Sequence, residues 1–258
     1  MNLELEGKCA LIVGATGGIG SSVAHTLAQE GVHLVLAARR EAPLKELANE
    51  LQGCEPDLYS VDLSIGSSVA ELDKQVTAAG RPVDILVCAA AVPSFGEVWQ
   101  FPRDEWEENF AVKYFGVADL CRRIAQQMMT RRSGTIIVLT GIAAHLVMGT
   151  NPAGGGANAA LENFVRVLSA SAGQHGVRVL GVSPGMTLTG RLTAFAENRL
   201  DKVAAATPLR RLANPNEIAD VIAFLASPRA GFMTGTTVVV DGGLCAARQD
   251  LAWNEAMP

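Results

Sequence analysis

The sequence predicts an α/β fold, a single doubly wound parallel sheet of about seven strands with helices on both faces. Three observations carry this. Short apolar runs alternate with longer helical segments along nearly the whole chain. The first apolar run, Cys9-Ala10-Leu11-Ile12-Val13, passes directly into the glycine-rich turn Gly14-Ala15-Thr16-Gly17-Gly18-Ile19-Gly20. The chain has 258 residues, 49% of them hydrophobic, which suffices for the core of one such domain.

The elements follow in order. A helix is expected over residues 21–30, ended by Gly31, and a second strand over 32–37. Residues 41–51 read as a helix, 57–61 as a short third strand, 66–79 as a helix and 83–89 as a fourth strand. Two helical stretches follow, 103–112 and 114–131, which could be continuous. Residues 135–140 form a β-branched fifth strand. Asn151-Pro152 is an N-cap followed by proline at the first helical position, and that helix runs to about Ala172. A sixth strand spans 177–182. Asn214-Pro215 opens another helix ending near Ala226, and residues 236–240 form the last strand. Strands separated by helices favour parallel pairing with both faces covered. No linker or repeat divides residues 1–258. The interval 187–207 has no strand and no strong apolar face, so it is a candidate lid over the site.

Composition excludes several classes. The net charge is −5 with basic residues scattered, which argues against a nucleic-acid surface. The acidic start, Met1-Asn2-Leu3-Glu4-Leu5-Glu6, does not read as a signal peptide, and no apolar stretch reaches membrane-span length. Cys9, Cys54, Cys88, Cys121 and Cys245 are odd in number and lack metal-ligand spacing. They are expected to be buried thiols of a cytoplasmic protein.

The glycine turn carries the first chemical inference. A strand turning sharply into a helix leaves main-chain amides at the helix start facing a crevice, where a pyrophosphate can bind. Gly14 sits where side chains are least tolerated, and Gly18 and Gly20 allow close backbone approach. The fold is therefore Rossmann-type. After the second strand such folds place a carboxylate against the ribose hydroxyls or an arginine against a 2′-phosphate. This chain has Ala38-Arg39-Arg40 and no carboxylate before Glu41, which favours NADP(H) over NAD(H), with Arg39 and Arg40 as phosphate ligands. Asp62 is placed to accept a hydrogen bond from an adenine amino group or to cap the turn before Ser64.

These residues resemble those of the classical short-chain dehydrogenase/reductase family, from Gly7 to Gly243. The family's glycine motif matches Gly14, Gly18, Ile19 and Gly20, with Val13 where threonine is usual. Asp62 falls on its adenine-contacting aspartate. Ser183-Pro184-Gly185 followed by Thr189 matches the turn and threonine that hold the nicotinamide amide and phosphate. The resemblance implies that Thr16, Gly17, Leu63, Ala89, Ala90 and Thr187 also contact the cofactor. It further implies a homodimer or homotetramer acting on a small-molecule substrate.

The same resemblance implies a departure at the catalytic positions. The family's serine falls on Gly141, its tyrosine on Gly154, its lysine on Asn158 and its asparagine on Lys113. The segment after the fourth strand reads Cys88-Ala89-Ala90-Ala91. The two tyrosines of the chain, Tyr59 and Tyr114, cannot replace the one at 154. The ordinary delivery of a proton from tyrosine is thereby lost. Lysine and asparagine have exchanged helices, so one cation and one amide stay in the pocket. Lys113 is the candidate to bind a carboxylate, stabilise an oxyanion or donate a proton. Asn158 is its amide counterpart, and His145 is the replacement acid favoured by its chemistry. Ser94, Thr140 and Thr150 are further polar candidates, and Phe95, Trp99 and Met148 candidate apolar wall. Gly154-Gly155-Gly156 suggests close approach or a loosened helix start. The reading favoured is an NAD(P)-dependent oxidoreductase with an atypical site. The alternatives are an inactive dinucleotide-binding protein and a non-redox lyase or isomerase.

Overall fold

The computed structural model describes residues 2–92, 95–196 and 199–247. Seven parallel strands form one sheet, in the order β3-β2-β1-β4-β5-β6-β7. The strands are β1 Cys9–Val13, β2 His33–Ala38, β3 Asp57–Ser60, β4 Ile85–Cys88, β5 Gly134–Leu139, β6 Val177–Pro184 and β7 Thr237–Val240. Every pairing is parallel, and the register joins Val13 to Ala37 on one side and to Cys88 on the other. The sheet order reverses between β1 and β4, so the connections leaving these two strands diverge and open a crevice.

The helices are α1 Gly18–Gln29, α2 Glu41–Glu50, α3 Gly66–Ala78, α4 Arg103–Phe110, α5 Val117–Arg131, α6 Pro152–Ala172, α7 Gly190–Ala196, α8 Leu200–Ala205 and α9 Pro215–Ala226. Alternation along β1 shows the two layers. Ala10 and Ile12 face the core shared with α1, α2 and α9, whereas Cys9, Leu11 and Val13 face that of α3, α5 and α6. Both faces of the central strands are covered, which explains why β1 and β4 are apolar throughout.

The stretches 103–112 and 114–131 are continuous, joined by a π-helical turn, Ala111–Gly116. The interval 187–207 has no strand among its described residues, as expected, and it holds α7 and α8; residues 197 and 198 lie outside the described residues. The cysteines are all free, yet only Cys9, Cys88 and Cys121 are buried, while Cys54 and Cys245 are half-buried. Burial pushes the Cys9 thiol up to about 11, and burial with Asp241 beside it does the same for Cys245.

Asparagine caps start two helices as their Asn-Pro signatures require. The Asn151 side chain accepts from the Gly154 amide. Asn214 and Glu217 form a reciprocal capping box on α9. The far end of α9 is held by Arg178 from β6. Its guanidinium donates to the carbonyls of Leu225 (2.8 Å), Ala230 (3.2 Å) and Ser227 (3.1 Å) and to Thr135 Oγ1 (2.9 Å). The Leu225 carbonyl lies in the last turn of α9, where carbonyls lack an intrahelical donor, whereas the Ser227 and Ala230 carbonyls also accept from the Ala230 and Met233 amides.

Two outcomes follow from these contacts. Arg178→Met should lower the unfolding free energy by about 2–3 kcal/mol, read by urea denaturation, because several charge-assisted bonds are lost and the Leu225 carbonyl loses its donor. The Arg211 guanidinium and the Asn214 amide depress the Glu217 carboxyl from 4.5 to about 2. A depressed carboxylate stabilises the fold above its unfolded value, and this share disappears as pH falls from about 4.5 through about 2. Glu217→Gln should therefore flatten the stability profile across that window.

Candidate active site

The turn after β1 builds the first wall. Gly14 has φ +80°, and a Cβ there would stand 2.5 Å from the Ala90 nitrogen. Both the left-handed backbone and the neighbouring strand end exclude a side chain. The Gly14 amide donates to Ala37 O (2.9 Å), while the Ala89 amide donates to Val13 O (2.8 Å), so β1 is tied to both neighbours at its very end. Gly17 is the N-cap of α1 and offers no side chain to its amides. They are left for an anionic group. A Cβ on Gly18 would lie 2.7 Å from Thr189 Cγ2, which shows how closely the segment after β6 crosses the helix start.

Two adjoining cavities meet at this turn. The larger, about 510 Å³, runs from Thr16–Gly20 past Ala89 to the β6 end at Pro184, Gly185, Thr187 and Thr189. The smaller, about 260 Å³, lies between Gly14, Ala90 and Leu63 and is bordered by Arg39 and Arg40. Both are lined by Thr16, Gly17 and Ala89. The residues expected to hold a dinucleotide are thus brought together, with Asp62 the exception. The Asp62 carboxylate lines neither cavity and instead accepts from the Ser64 amide (2.9 Å) and hydroxyl (2.6 Å). Those bonds, with the Arg39 charge adding a little, hold it below the usual carboxylate range.

The deep end of the larger cavity holds Lys113 and Asn158, 6% and 7% exposed. Lys113 projects inward from the π-helical turn, a widened turn that re-aims side chains. Its ammonium donates to the carbonyls of Leu139 (3.0 Å) and Thr140 (3.2 Å) at the end of β5. Asn158 comes from α6. Its Nδ2 stands 2.9 Å from the Cβ position of Gly141, while its Oδ1 is buried without a hydrogen-bond partner among the described residues. An unpaired buried acceptor of this kind costs about 1–3 kcal/mol. Gly141 has extended backbone that any residue adopts, so its proximity to Asn158, not its conformation, favours glycine. At Gly154 the Asn151 cap occupies the side-chain position.

His145 is not brought to the cavity wall. Its Nε2 meets Glu162 Oε1 at 2.8 Å, and the same carboxylate oxygen accepts from Thr140 Oγ1 (3.2 Å). Phe95 and Met148 line the cavity, Trp99 is 77% exposed outside it, and Ser94 lies outside the described residues. Sequence reasoning missed Asn109, which is buried, lines the cavity and lies one helical turn before Lys113. That i, i+4 spacing was the available signal. It also missed Asn151, treated only as a cap. Among the described residues no His/Cys/Asp/Glu group could hold a metal ion, and no helix is long and apolar enough to cross a membrane.

Gly14→Ala tests the turn. It should lower stability by about 1–2 kcal/mol from backbone strain alone. Calorimetry should show at least a roughly tenfold loss of dinucleotide affinity as Ala90 is pushed away.

Comparison with known proteins agrees with this geometry. The family model described as "Enoyl-(Acyl carrier protein) reductase" matches residues 14–245. The 2,3-dihydro-2,3-dihydroxybenzoate dehydrogenase of Bacillus subtilis (strain 168) is 32% identical over 251 residues, 93% of this chain and 96% of that protein. A solved structure of a short chain dehydrogenase/reductase family protein superposes with a TM-score of 0.88 at 37% identity, covering 94% of this chain and 99% of the other. L-sorbose reductase from Gluconobacter frateurii, solved with NADPH and L-sorbose, gives 0.89 at 29% identity, with 95% and 99% covered. With its parallel sheet, its glycine turn and these relatives, the chain belongs to the classical short-chain dehydrogenase/reductase family and is an oxidoreductase of that type.

Proposed function

We propose that the protein is an NADP(H)-preferring oxidoreductase of a small carbonyl or alcohol substrate, working with an atypical set of side chains. The observation that carries this is the pairing of the two cavities across one glycine turn, arginines at one end and a buried lysine at the other. The bound cofactor would supply hydride exchange at its nicotinamide. Gly14, Thr16, Gly17, Gly18, Ile19 and Gly20 would cradle the pyrophosphate against the α1 amides. Arg39 and Arg40 would hold the 2′-phosphate, with Asp62, Leu63, Ala89 and Ala90 around the adenosine half. Pro184, Gly185, Thr187 and Thr189 would border the nicotinamide half. The NADPH complex of L-sorbose reductase supports the cofactor class.

In this reading Gly141, Gly154, Asn158 and Lys113 replace the family's serine, tyrosine, lysine and asparagine. Lys113 supplies the positive charge that polarises a substrate oxygen, and Asn158 supplies an amide. His145 serves by holding the loop after β5 to Glu162. The segment 187–207, carrying α7 and α8, would close over the site; Thr189 at the start of α1 and Leu192 in the cavity wall support this. A homodimer or homotetramer is supported by exposed Phe115 and Val167 near and on the helices of one sheet face.

Calorimetry tests the cofactor assignment. NADP⁺ should bind more tightly than NAD⁺, and the Arg39→Ala/Arg40→Ala double variant should weaken NADP⁺ by at least about tenfold while leaving NAD⁺ little changed. Binding of neither nucleotide would sink the proposal.

A further inference from the structure

Reduction of a carbonyl takes up a proton as well as a hydride, and the cavity wall limits where that proton can come from. Among the described residues lining the larger cavity, Lys113 is the ionisable side chain; the others are glycines, apolar residues, threonines and asparagines. Hydroxyls and amides do not titrate near neutral pH. A lysine ammonium, with an ordinary pKa of about 10.4, is a far stronger acid than an alcohol, so its transfer of a proton to an alkoxide runs downhill. The seat of Lys113 suits both protonation states. Its Nζ donates to the carbonyls of Leu139 (3.0 Å) and Thr140 (3.2 Å), which can only accept. An ammonium carries three N–H bonds, and loss of one proton leaves two, as many as these carbonyls take. The nitrogen therefore stays anchored at the end of β5 as ammonium and as amine.

The titratable groups of the elements packed around the π turn are engaged or exposed elsewhere. On α6, Glu162 meets His145 and the Thr140 hydroxyl, and Arg166 is exposed. On α4, Glu107 pairs with Arg103, while Asp104, Glu105 and Glu108 are exposed. On α5, Asp119 pairs with Arg122 and Arg123, and Arg131 reaches the Val83 carbonyl. The Tyr114 ring packs against Phe115 and Phe164, and the Cys88 and Cys121 thiols meet each other at 3.8 Å. None of these lines the cavity.

We propose that Lys113 is the proton donor of the reaction, and that this makes the protein a ketone reductase near neutral pH, with alcohol oxidation confined to alkaline solution. This rests on the dinucleotide-dependent reading above. The carbonyl carbon accepts hydride from a reduced nicotinamide dinucleotide, which is oxidised. The C=O π pair moves onto oxygen, which takes a proton from Lys113 Nζ while the N–H electron pair stays on nitrogen. Water then returns a proton to the amine. A ketone, the reduced dinucleotide and one proton thus give the alcohol and the oxidised dinucleotide. The reverse reaction needs the amine as base, and an ordinary lysine is almost wholly ammonium at neutral pH.

Two measurements on the full-length protein test it. With lysines carrying ¹³C at Cε, the NMR signal absent from Lys113→Gln reports the charge on Lys113 and should titrate as one proton, with NADPH or with NADP⁺ bound. With NADPH, kcat/KM for ethyl acetoacetate should be level below the NADPH-bound midpoint and fall about tenfold per pH unit above it. With NADP⁺, kcat/KM for ethyl 3-hydroxybutanoate should rise about tenfold per unit up to the NADP⁺-bound midpoint and then level off. Lys113→Gln should lower ketone reduction at least about a hundredfold while NADP⁺ affinity changes less than about threefold. Lys113→Arg, which keeps a cation that does not deprotonate, should be impaired as much. Parent-like reduction by either variant, a kinetic midpoint more than about one unit from its NMR counterpart, alcohol oxidation faster than ketone reduction near neutral pH, or no saturable ketone reduction each overturn the inference. Those failures alongside intact NADP⁺ binding leave the cofactor reading standing, whereas loss of nucleotide binding in the parent protein removes both.

Discussion

The approach of Gly14 to the Ala89–Ala90 main chain is the constraint on which the site depends. β1 and β4 are neighbours in the sheet, but the chain leaves them toward opposite edges. The crevice between their ends is narrow because two backbones meet there without an intervening side chain. A residue with a Cβ at position 14 would meet both a left-handed backbone and the Ala90 nitrogen, so strand spacing and turn geometry reinforce one another. From this point the α1 amides face one way, the arginines after β2 lie to one side, and the ends of β5 and β6 lie to the other. The two cavities are consequences of that single junction.

The deep end of the site trades stability for placement. A buried ammonium and a buried amide are both costly unless their polar atoms find partners. Lys113 finds the carbonyls of Leu139 and Thr140 at the end of β5. It can reach them because the helix widens into a π turn between α4 and α5. The buried Asn158 Oδ1 has no hydrogen-bond partner among the described residues, and Gly141 leaves space beside the amide. Cation and amide therefore line one pocket, Lys113 from the π turn and Asn158 from α6.

The loop after β5 shows how chemistry read from residue type can be redirected by packing. His145 has the right imidazole for proton transfer, but the nearest carboxylate, Glu162 on α6, engages it outside the cavity. The shared Thr140 hydroxyl joins this pair to the strand whose main chain holds Lys113. The result is a braced wall. Asn151 acts likewise, since one side chain both starts α6 and fills the position beside Gly154.

Sequence alone determined the order of strands and helices, the glycine turn, the paired arginines after β2 and the identities of Lys113, Asn158, Gly141 and Gly154. These are local matters: periodicity, turn chemistry and capping are written within a few residues of each position. Sequence alone did not reveal the π turn, the helices α7 and α8, the seat of Asn109, or the meeting of Asn158 with Gly141. It also placed His145 near the site by residue type, where the fold pairs it with Glu162 off the cavity wall. Those outcomes depend on how separate elements pack, and on whether a helix gains or loses a fraction of a turn before it reaches the sheet. Only the tertiary structure decides them, because the contacts join residues distant in the chain whose approach no local pattern encodes.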